Sequence, residues 1–435
     1  MIGQHDSFLD QLPNGWTFDR LKDVVALRNE KTAEESREED YLELEDIESG
    51  TGRILGRRCT LEVESAVTIF RKGDVLFGKL RPYLEKYYTA DFDGKCTGEI
   101  LAFKPERIAS RFLFYCLASR WFIERCNALA YGAKMPRVSW PTQLAQFNVP
   151  LPPLPEQERI VTFLDASCAA IDAAVTAKRR QLEPLDALRN ATITRVVTRG
   201  LQTHTDLRQT GNTWMKEVPT HWELVSLKRV SQIQTGLTLG KEYEGPTIKR
   251  PYLRVANVQD GHLSLDDVTL IEVPLHVARR VELRPGDVLM TEGGDLDKLG
   301  RGTVWSGEIS GCLHQNHIFA VRCLGHKLLS AFLAYLTASQ YGRDYFEATG
   351  KRTTNLASTN STKVGLFPIP LPSIQEQRAI CQFLDESLAQ VAQITSGIEA
   401  QIKTLISYRK SLIHECVTGQ RRVTEADLNR VQAHG

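Results

Sequence analysis

The stretch PLPPLPEQERIVTFLD, Pro150 to Asp165, returns as PLPSIQEQRAICQFLD, Pro370 to Asp385, and a chain that repeats itself 220 residues later must fold as two similar halves. The two stretches share nine of sixteen residues, where unrelated sequences share about one. Further likeness comes at smaller offsets. GWTFDRLKDV matches HWELVSLKRV at 206, pairing Trp16 with Trp222, and RKGDVL at Arg71 matches RPGDVL at Arg284 at 213. By FLFYCLAS at Phe112 and FLAYLTAS at Phe332 the offset has reached 220, where it stays. Each half therefore has a variable front and a fixed back.

The fronts, from about Gly15 to Val149 and Trp222 to Ile369, carry short β-rich runs broken by Gly and Pro, such as GDVLFGKLRPYL and PYLRVANVQDG. Helical RFLFYCLASRWFIERC and SAFLAYLTASQYGRDYF lie late in each, which predicts α+β domains of about 150 residues. In the second back, apolar residues recur three or four apart from Ile380 through Leu384, Leu388, Val391, Ile394, Ile398, Ile402, Leu405 and Leu412 to Cys416. In the first they run through Ile160, Leu164, Ile171, Val175, Leu182, Leu188 and Ile193. Each predicts a helix of about 40 residues and about 60 Å, a strut more than a core helix. Neither strut can bury its stripe alone, so the two are expected to pack as a coiled coil, set antiparallel by the pseudo-two-fold of the duplication. Pro184 predicts a kink or break near Glu183. The proline strap stiffens the exit from each domain and hands the chain to the strut at Glu156 and Glu376.

The resulting fold class is α+β, with four segments: a domain over 1–150, a spacer helix region over 151–212, a second domain over 213–370 and a second helix region with a tail over 371–435. A formal net charge of +1 gives no bulk attraction for nucleic acid, so any basic surface is local. The nine scattered cysteines form no CxxC pair and suit reduced thiols in a cytoplasm. No early apolar run follows a basic start, and LLSAFLAYLTAS at Leu328 is too short and polar to cross a bilayer, which predicts neither secretion nor a membrane span.

Taken in order, LPNGWTFDRLKDV, LELEDIESGTGRI, GDVLFGKLRPYLEK, FDGKCTGEILAFKP, GAKMPRVSW and VPLPPLPEQERI in the first half resemble the specificity subunits of type I restriction-modification systems. WELVSLKRV, PYLRVANVQDG, GDVLMTEGGDLDKLGRGTVW, HQNHIFAVR and IPLPSIQEQRAI carry the likeness through the second half. The resemblance implies two target-recognition domains, each reading half of a split double-stranded DNA target. It also implies a helical spacer that docks two methyltransferase subunits, with separate restriction subunits that translocate and cut. The chain itself then has no active site and binds no cofactor; S-adenosylmethionine, ATP and Mg belong to the partners, and the assembly is cytoplasmic. Two unlike readers on a strut suit two half-sites at a fixed spacing near one helical turn.

If the fronts read DNA, Arg and Lys supply phosphate and guanine contacts and Asn reads adenine. The candidates are Lys79, Arg81 and Lys86 in GKLRPYLEK and Lys134 and Arg137 in GAKMPR. In the second domain they are Arg254 and Asn257 in LRVANV, Lys298 and Arg301 in DKLGRG, and Lys351, Arg352 and Asn355 in GKRTTN. Each is equally readable as a solvated or locally paired charge. GAKMPR and GKRTTN carry more weight, since they put a basic pair on a glycine-led loop at one position in both halves. Arg81 reads better as structural, its guanidinium holding carbonyls of a fixed turn. Cys312, His314 and His317 in CLHQNH resemble metal spacing, but no second cluster follows and the alternation after them reads as a strand, which favours a structural histidine pair, with Asn316 able to reach a base or backbone group. GTGRILG lacks GxGxxG spacing, and no GxxxxGK[ST] loop or NPPY-type methyltransferase motif occurs. A self-contained nuclease or methyltransferase, and a structural adaptor, remain the competing readings.

Overall fold

The computed structural model describes residues 8, 11–32, 40–59, 67–240, 243–259, 261–294, 299–352 and 357–433. It forms two compact units, Met1–Arg179 with Glu399–Gly435, and Arg180–Ile398. These units cut across the linear segments expected from sequence, because each takes part of both long helices.

In the first unit a four-stranded antiparallel sheet runs in the order Val25–Leu27, Ile100–Pro105, Val75–Gly78, Tyr87–Thr89. The GDVLFG run is its inner strand, and every residue of Val75–Gly78 is buried. Because successive side chains leave opposite faces of a strand, one run feeds two cores. Val75 and Phe77 join a large core with Phe103, Phe112 and Phe122, whereas Leu76 joins Leu42, Ile47 and Phe70 in a smaller one. A five-stranded mixed sheet, in which Asp40–Leu42 runs parallel to Gly94–Cys96, lies around the smaller core. The second unit repeats the plan in the order Ser231–Thr235, Ile318–Cys323, Asp287–Thr291, Gly302–Val304. There Val288 and Met290 enter the large core and Leu289 the smaller.

Each expected late helix is two helices, Ser110–Ala118 and Arg120–Leu129, then Ser330–Ala338 and Gln340–Thr349. The break is a buried serine with extended backbone. Ser119 Oγ donates to Cys116 O at 2.7 Å and accepts from Phe122 N at 3.4 Å; Ser339 does the same with Leu336 O and Gly342 N at 2.6 and 3.2 Å. One side chain thus ends one helix and caps the next.

The strap is a strand before it is a spacer. Asn148–Leu151 pairs antiparallel with Thr17–Arg20, and Pro368–Leu371 with Glu223–Ser226, each closing its domain. The repeated glutamine then clamps the exit. Buried Gln157 donates to Pro152 O at 2.8 Å and accepts from Ala109 N at 2.9 Å; Gln377 donates to Pro372 O and Lys327 O and accepts from Leu329 N, at 2.9, 2.8 and 2.9 Å. Strap, short helix and strut are fixed to one another by a single amide, which is why the EQ dipeptide recurs.

The struts are Leu154–Arg199, 46 residues, and Ile374–Val417, 44 residues. The first runs unbroken through Pro184, against the expected break. Proline costs the helix one hydrogen bond, to Arg180 O, and both residues are exposed, so water can serve that carbonyl. Within each unit the struts lie antiparallel. In the first unit Asp172 meets Arg409 at 3.3 Å while Glu156 meets Arg422 at 3.1 Å. In the second, Ile193 and Val197 share a core with Ile380 and Leu384. The stripe is not uniformly buried: Leu188 and Ile394 are 53% and 52% exposed. An apolar window of the first strut is long enough by composition to cross a bilayer, but its Ile160, Leu164, Ile171 and Val175 are core residues of the first unit.

Candidate nucleic-acid interface

Two motifs distant in sequence, GKLRPYLEK and GAKMPR, meet at one end of the first unit. The hairpin between Val75–Gly78 and Tyr87–Thr89 turns through Lys79 to Lys86, and Leu80 bridges Arg137, which also bridges Tyr131. Val138 N donates to Lys79 O at 3.1 Å, and Lys79 N donates to Glu99 O at 2.9 Å. Arg81 takes a left-handed backbone, φ 50°, with its N–H on Pro136 O at 2.7 Å and its Nη2 on Lys134 O at 3.4 Å. That is the carbonyl-holding turn expected of it.

The five basic candidates of this domain divide by what they already hold. Arg137 grips Glu99 with Nε and Nη2 at 3.0 and 3.2 Å, a fork that leaves one edge of its guanidinium, close to Met135 O. The Lys86 ammonium donates to Ile47 O. Lys134 is exposed and Lys79 half-buried, and neither ammonium has a partner among the described residues. An unpaired ammonium is available to a phosphate without first breaking a bond. Sequence reasoning passed over three neighbours, Tyr83, Tyr131 and Met135, whose large side chains are exposed on the same loops. The signal was present in RPYL, where a proline fixed in a turn leaves its tyrosine no core to enter.

The second unit builds the corresponding layer. Gly293–Gly294 pairs with Ala357–Ser358, which pairs with Lys351–Arg352. Thr359 N donates to Glu292 O at 2.7 Å and Glu292 N to His317 O at 2.8 Å, repeating the bonds made by Lys79. Glu292 therefore stands where Lys79 does, and its carboxylate takes a hydrogen bond from His317 Nδ1. The two layers share a backbone plan but differ in charge at matched positions. Lys351 is exposed, with no side-chain partner among the described residues; Arg352 contributes its backbone to the layer, and its side chain lies outside the described residues. Lys298 and Asn355 also lie outside them. Arg301 is half-buried at the entry to Gly302–Val304.

Arg254 and Asn257 are not in this layer. They form a turn in which the Asn257 Oδ1 accepts from Arg254 N at 2.8 Å and its Nδ2 donates to Ser264 O and Asp267 O, both at 2.9 Å, while Arg254 Nη2 holds Asp267 at 2.7 Å. The first unit has the same turn, with Asp46 accepting from Glu43 N at 2.8 Å. Both amide hydrogens of Asn257 are committed and the residue is buried, so no donor remains for a base edge. His314 is likewise internal. Its Nδ1 donates to Ile318 O at 2.9 Å, its Nε2 accepts from Gln234 at 3.3 Å, and burial pushes the imidazole down to about 4.

Below each layer a further matched pair ties domain to strut. Tyr115 donates to Asp165 at 2.6 Å, and Tyr335 donates to Asp385. Asp74 and Asp287, the aspartates of the two GDVL motifs, are buried and each grips an arginine, Arg28 and Arg322, with both oxygens at 2.7 to 3.2 Å. A buried fork of this kind holds strands in place, and losing one partner leaves an unpaired charge in the core.

The chain has counterparts among known proteins. The family model described as type I restriction modification DNA specificity domain matches residues 13–183 and 219–404. The EcoDI specificity subunit of Escherichia coli is 30% identical over 167 residues, 38% of this chain and 37% of that one. The EcoKI specificity subunit of Escherichia coli K12 is 23% identical over 343 residues, 75% of this chain and 69% of that one. The chain thus spans about a third of the first relative's length and about two thirds of the second's. Among solved structures, a chain from work on complex assembly and conformational transition of the type I R-M system superposes with a TM-score of 0.74 at 23% identity, covering 94% of this chain and 99% of its own. The HsdS subunit from Thermoanaerobacter tengcongensis gives 0.51 at 21% identity, covering 94% and 98%. At these identities the likeness is one of fold. The family model, however, matches both domains and most of both struts, and the chain belongs to the family of type I restriction-modification DNA specificity proteins.

Proposed function

We propose that this chain is the non-catalytic specificity subunit of a type I restriction-modification complex and reads a bipartite double-stranded DNA target, one half-site per domain. The observation that carries this is the duplicated loop layer: the same backbone frame presents Lys79 and Lys134 in one half and Glu292, His317 and Lys351 in the other. Two frames of one design with different side chains read two different sequences. Lysines supply phosphate and guanine contacts, and a carboxylate accepts from the cytosine amino group.

The strut is the docking surface for two methyltransferase subunits, which bring S-adenosylmethionine, and for restriction subunits, which bring ATP and Mg. Leu188 and Ile394 in the second unit and Tyr408 in the first leave apolar side chains of the long helices open to such partners. The complex works in the cytoplasm, and eight of the nine cysteines are free thiols.

The test is detection of methylated bases across a genome after co-expressing the chain with a type I methyltransferase subunit encoded beside it, compared with that subunit alone. A bipartite motif that requires this chain is the expected outcome. A soluble assembled complex without such a motif overturns the proposal, and cleavage or methylation by the purified chain alone replaces it with the enzyme reading.

A further inference from the structure

The IESGTGRI motif takes no part in the loop layer, yet its Gly50 is the centre of a chain of bonds that begins on the struts. Gly50 O accepts from Arg409 Nη1 at 2.7 Å and from Tyr87 Oη at 2.8 Å, and Gly50 N donates to Glu85 O at 3.0 Å. Arg409 lies on the second strut and is buried, with its Nε 3.3 Å from Asp172 Oδ1 of the first strut. The next residue, Lys410, pairs its ammonium with Glu85.

Glu85 and Arg81 are the two non-glycine residues with positive φ among the described residues, 51° and 50°, and they bracket the turn Pro82–Leu84. Such backbone persists only where its surroundings hold it. Here the holders are visible: Lys410 and Gly50 at Glu85, and Pro136 and Lys134 at Arg81. A continuous set of contacts therefore runs from Asp172, Arg409 and Lys410 through the turn to the Lys134 loop.

The second half cannot build this set. At the repeat offset of 220, Arg409, Lys410 and Asp172 correspond to Arg189, Asn190 and Ala392. The aspartate and the lysine are both missing, and Asn190 instead accepts from Arg343 at 3.4 Å.

We infer that Arg409 and Lys410 are positioning residues for the first half-site alone: by holding the Arg81–Glu85 turn they keep the Lys79 and Lys134 loops in the geometry that discriminates bases, whereas the second domain keeps its geometry without them. This rests on the reading proposed above. The consequence is an asymmetric subunit, in which whatever displaces the end of the second strut changes the first half-site and spares the second.

The test uses the full chain in its methyltransferase complex and scores the methylated motif by sequencing. Lys410→Met and Glu85→Gln are chosen over changes at Arg409, because both side chains are partly exposed and neither change leaves a charge in the core. Exchanging the first domain for that of a relative with a different target marks which half-site belongs to it. Each single variant is expected to lower discrimination at that half-site by about two- to thirtyfold, the range of a coupling energy carried by one contact set. The other half-site is expected to stay at wild-type selectivity, and the exchange Glu85→Lys with Lys410→Glu is expected to recover part of the loss. Unchanged selectivity at both half-sites, or equal blurring of both, overturns the inference. A wild-type complex that yields no bipartite motif overturns the proposed function instead.

Discussion

Asn257 donates both amide hydrogens to carbonyls and offers its oxygen to Arg254 N, all inside one buried turn. Asn257→Ala strands those groups and is expected to cost about 2–3 kcal/mol; urea unfolding reads the loss, which should exceed that from the exposed Lys134→Ala. The ANV triplet looked like a base-reading loop because Asn has the right chemistry for adenine. Its match to Asp46, an acceptor without amide hydrogens, was already in the sequence at an offset of 211. His314 gives a pH dependence with a definite sign. Its folded environment uses the neutral ring, and burial lowers it from an ordinary 6.5 to about 4. Between those values the unfolded chain binds a proton that the folded one refuses. The stabilisation is therefore complete above pH 6.5 and is lost as the pH falls to about 4, by about 3 kcal/mol in all. Melting temperatures from pH 7 to 4 should fall less steeply for His314→Gln than for the parent.

Both struts end on glycine with a left-handed backbone, Gly200 at φ 78° and Gly419 at φ 76°. A Cβ at Gly419 would lie 2.4 Å from Pro13 Cδ, whereas one at Gly200 would approach Trp222 and Glu376 only to 3.3 Å. Gly200→Ala is expected to cost about 1 kcal/mol and Gly419→Ala about 2–3 kcal/mol, since the second adds a steric clash to the backbone penalty; denaturant unfolding of the two variants side by side measures the difference. Elements of this size were the most legible part of the sequence. The 3.6-residue stripe located both struts, and β-rich runs such as GDVLFG located inner strands. The breaks at Ser119 and Ser339 were not legible, because the apolar period continues straight across them. Pro184 does not break the helix, since an exposed helix turn tolerates a missing hydrogen bond that a buried one would not.

If the chain reads DNA as proposed, its net charge of +1 leaves the affinity to a few local contacts. The salt dependence of binding should therefore be shallow, and removing Lys79 or Lys134 should each lower the slope of log K against log salt by about 1, without regard to sequence if the contact is to phosphate. Titrations of the assembled complex on a duplex carrying its target, at several salt concentrations, read this directly. Neither site nor slope was legible from composition alone, because what matters is which ammonium groups lack a partner, and pairing is set by the tertiary fold. The composition of the two units has one more implication. Each is completed by the far end of the other half's helix, so a fragment carrying only one domain and one helix is an unfinished object that a second identical fragment can finish. On the proposed function such a fragment should assemble as a homodimer with two copies of one reader, and the methylated motif found by sequencing should be a palindrome.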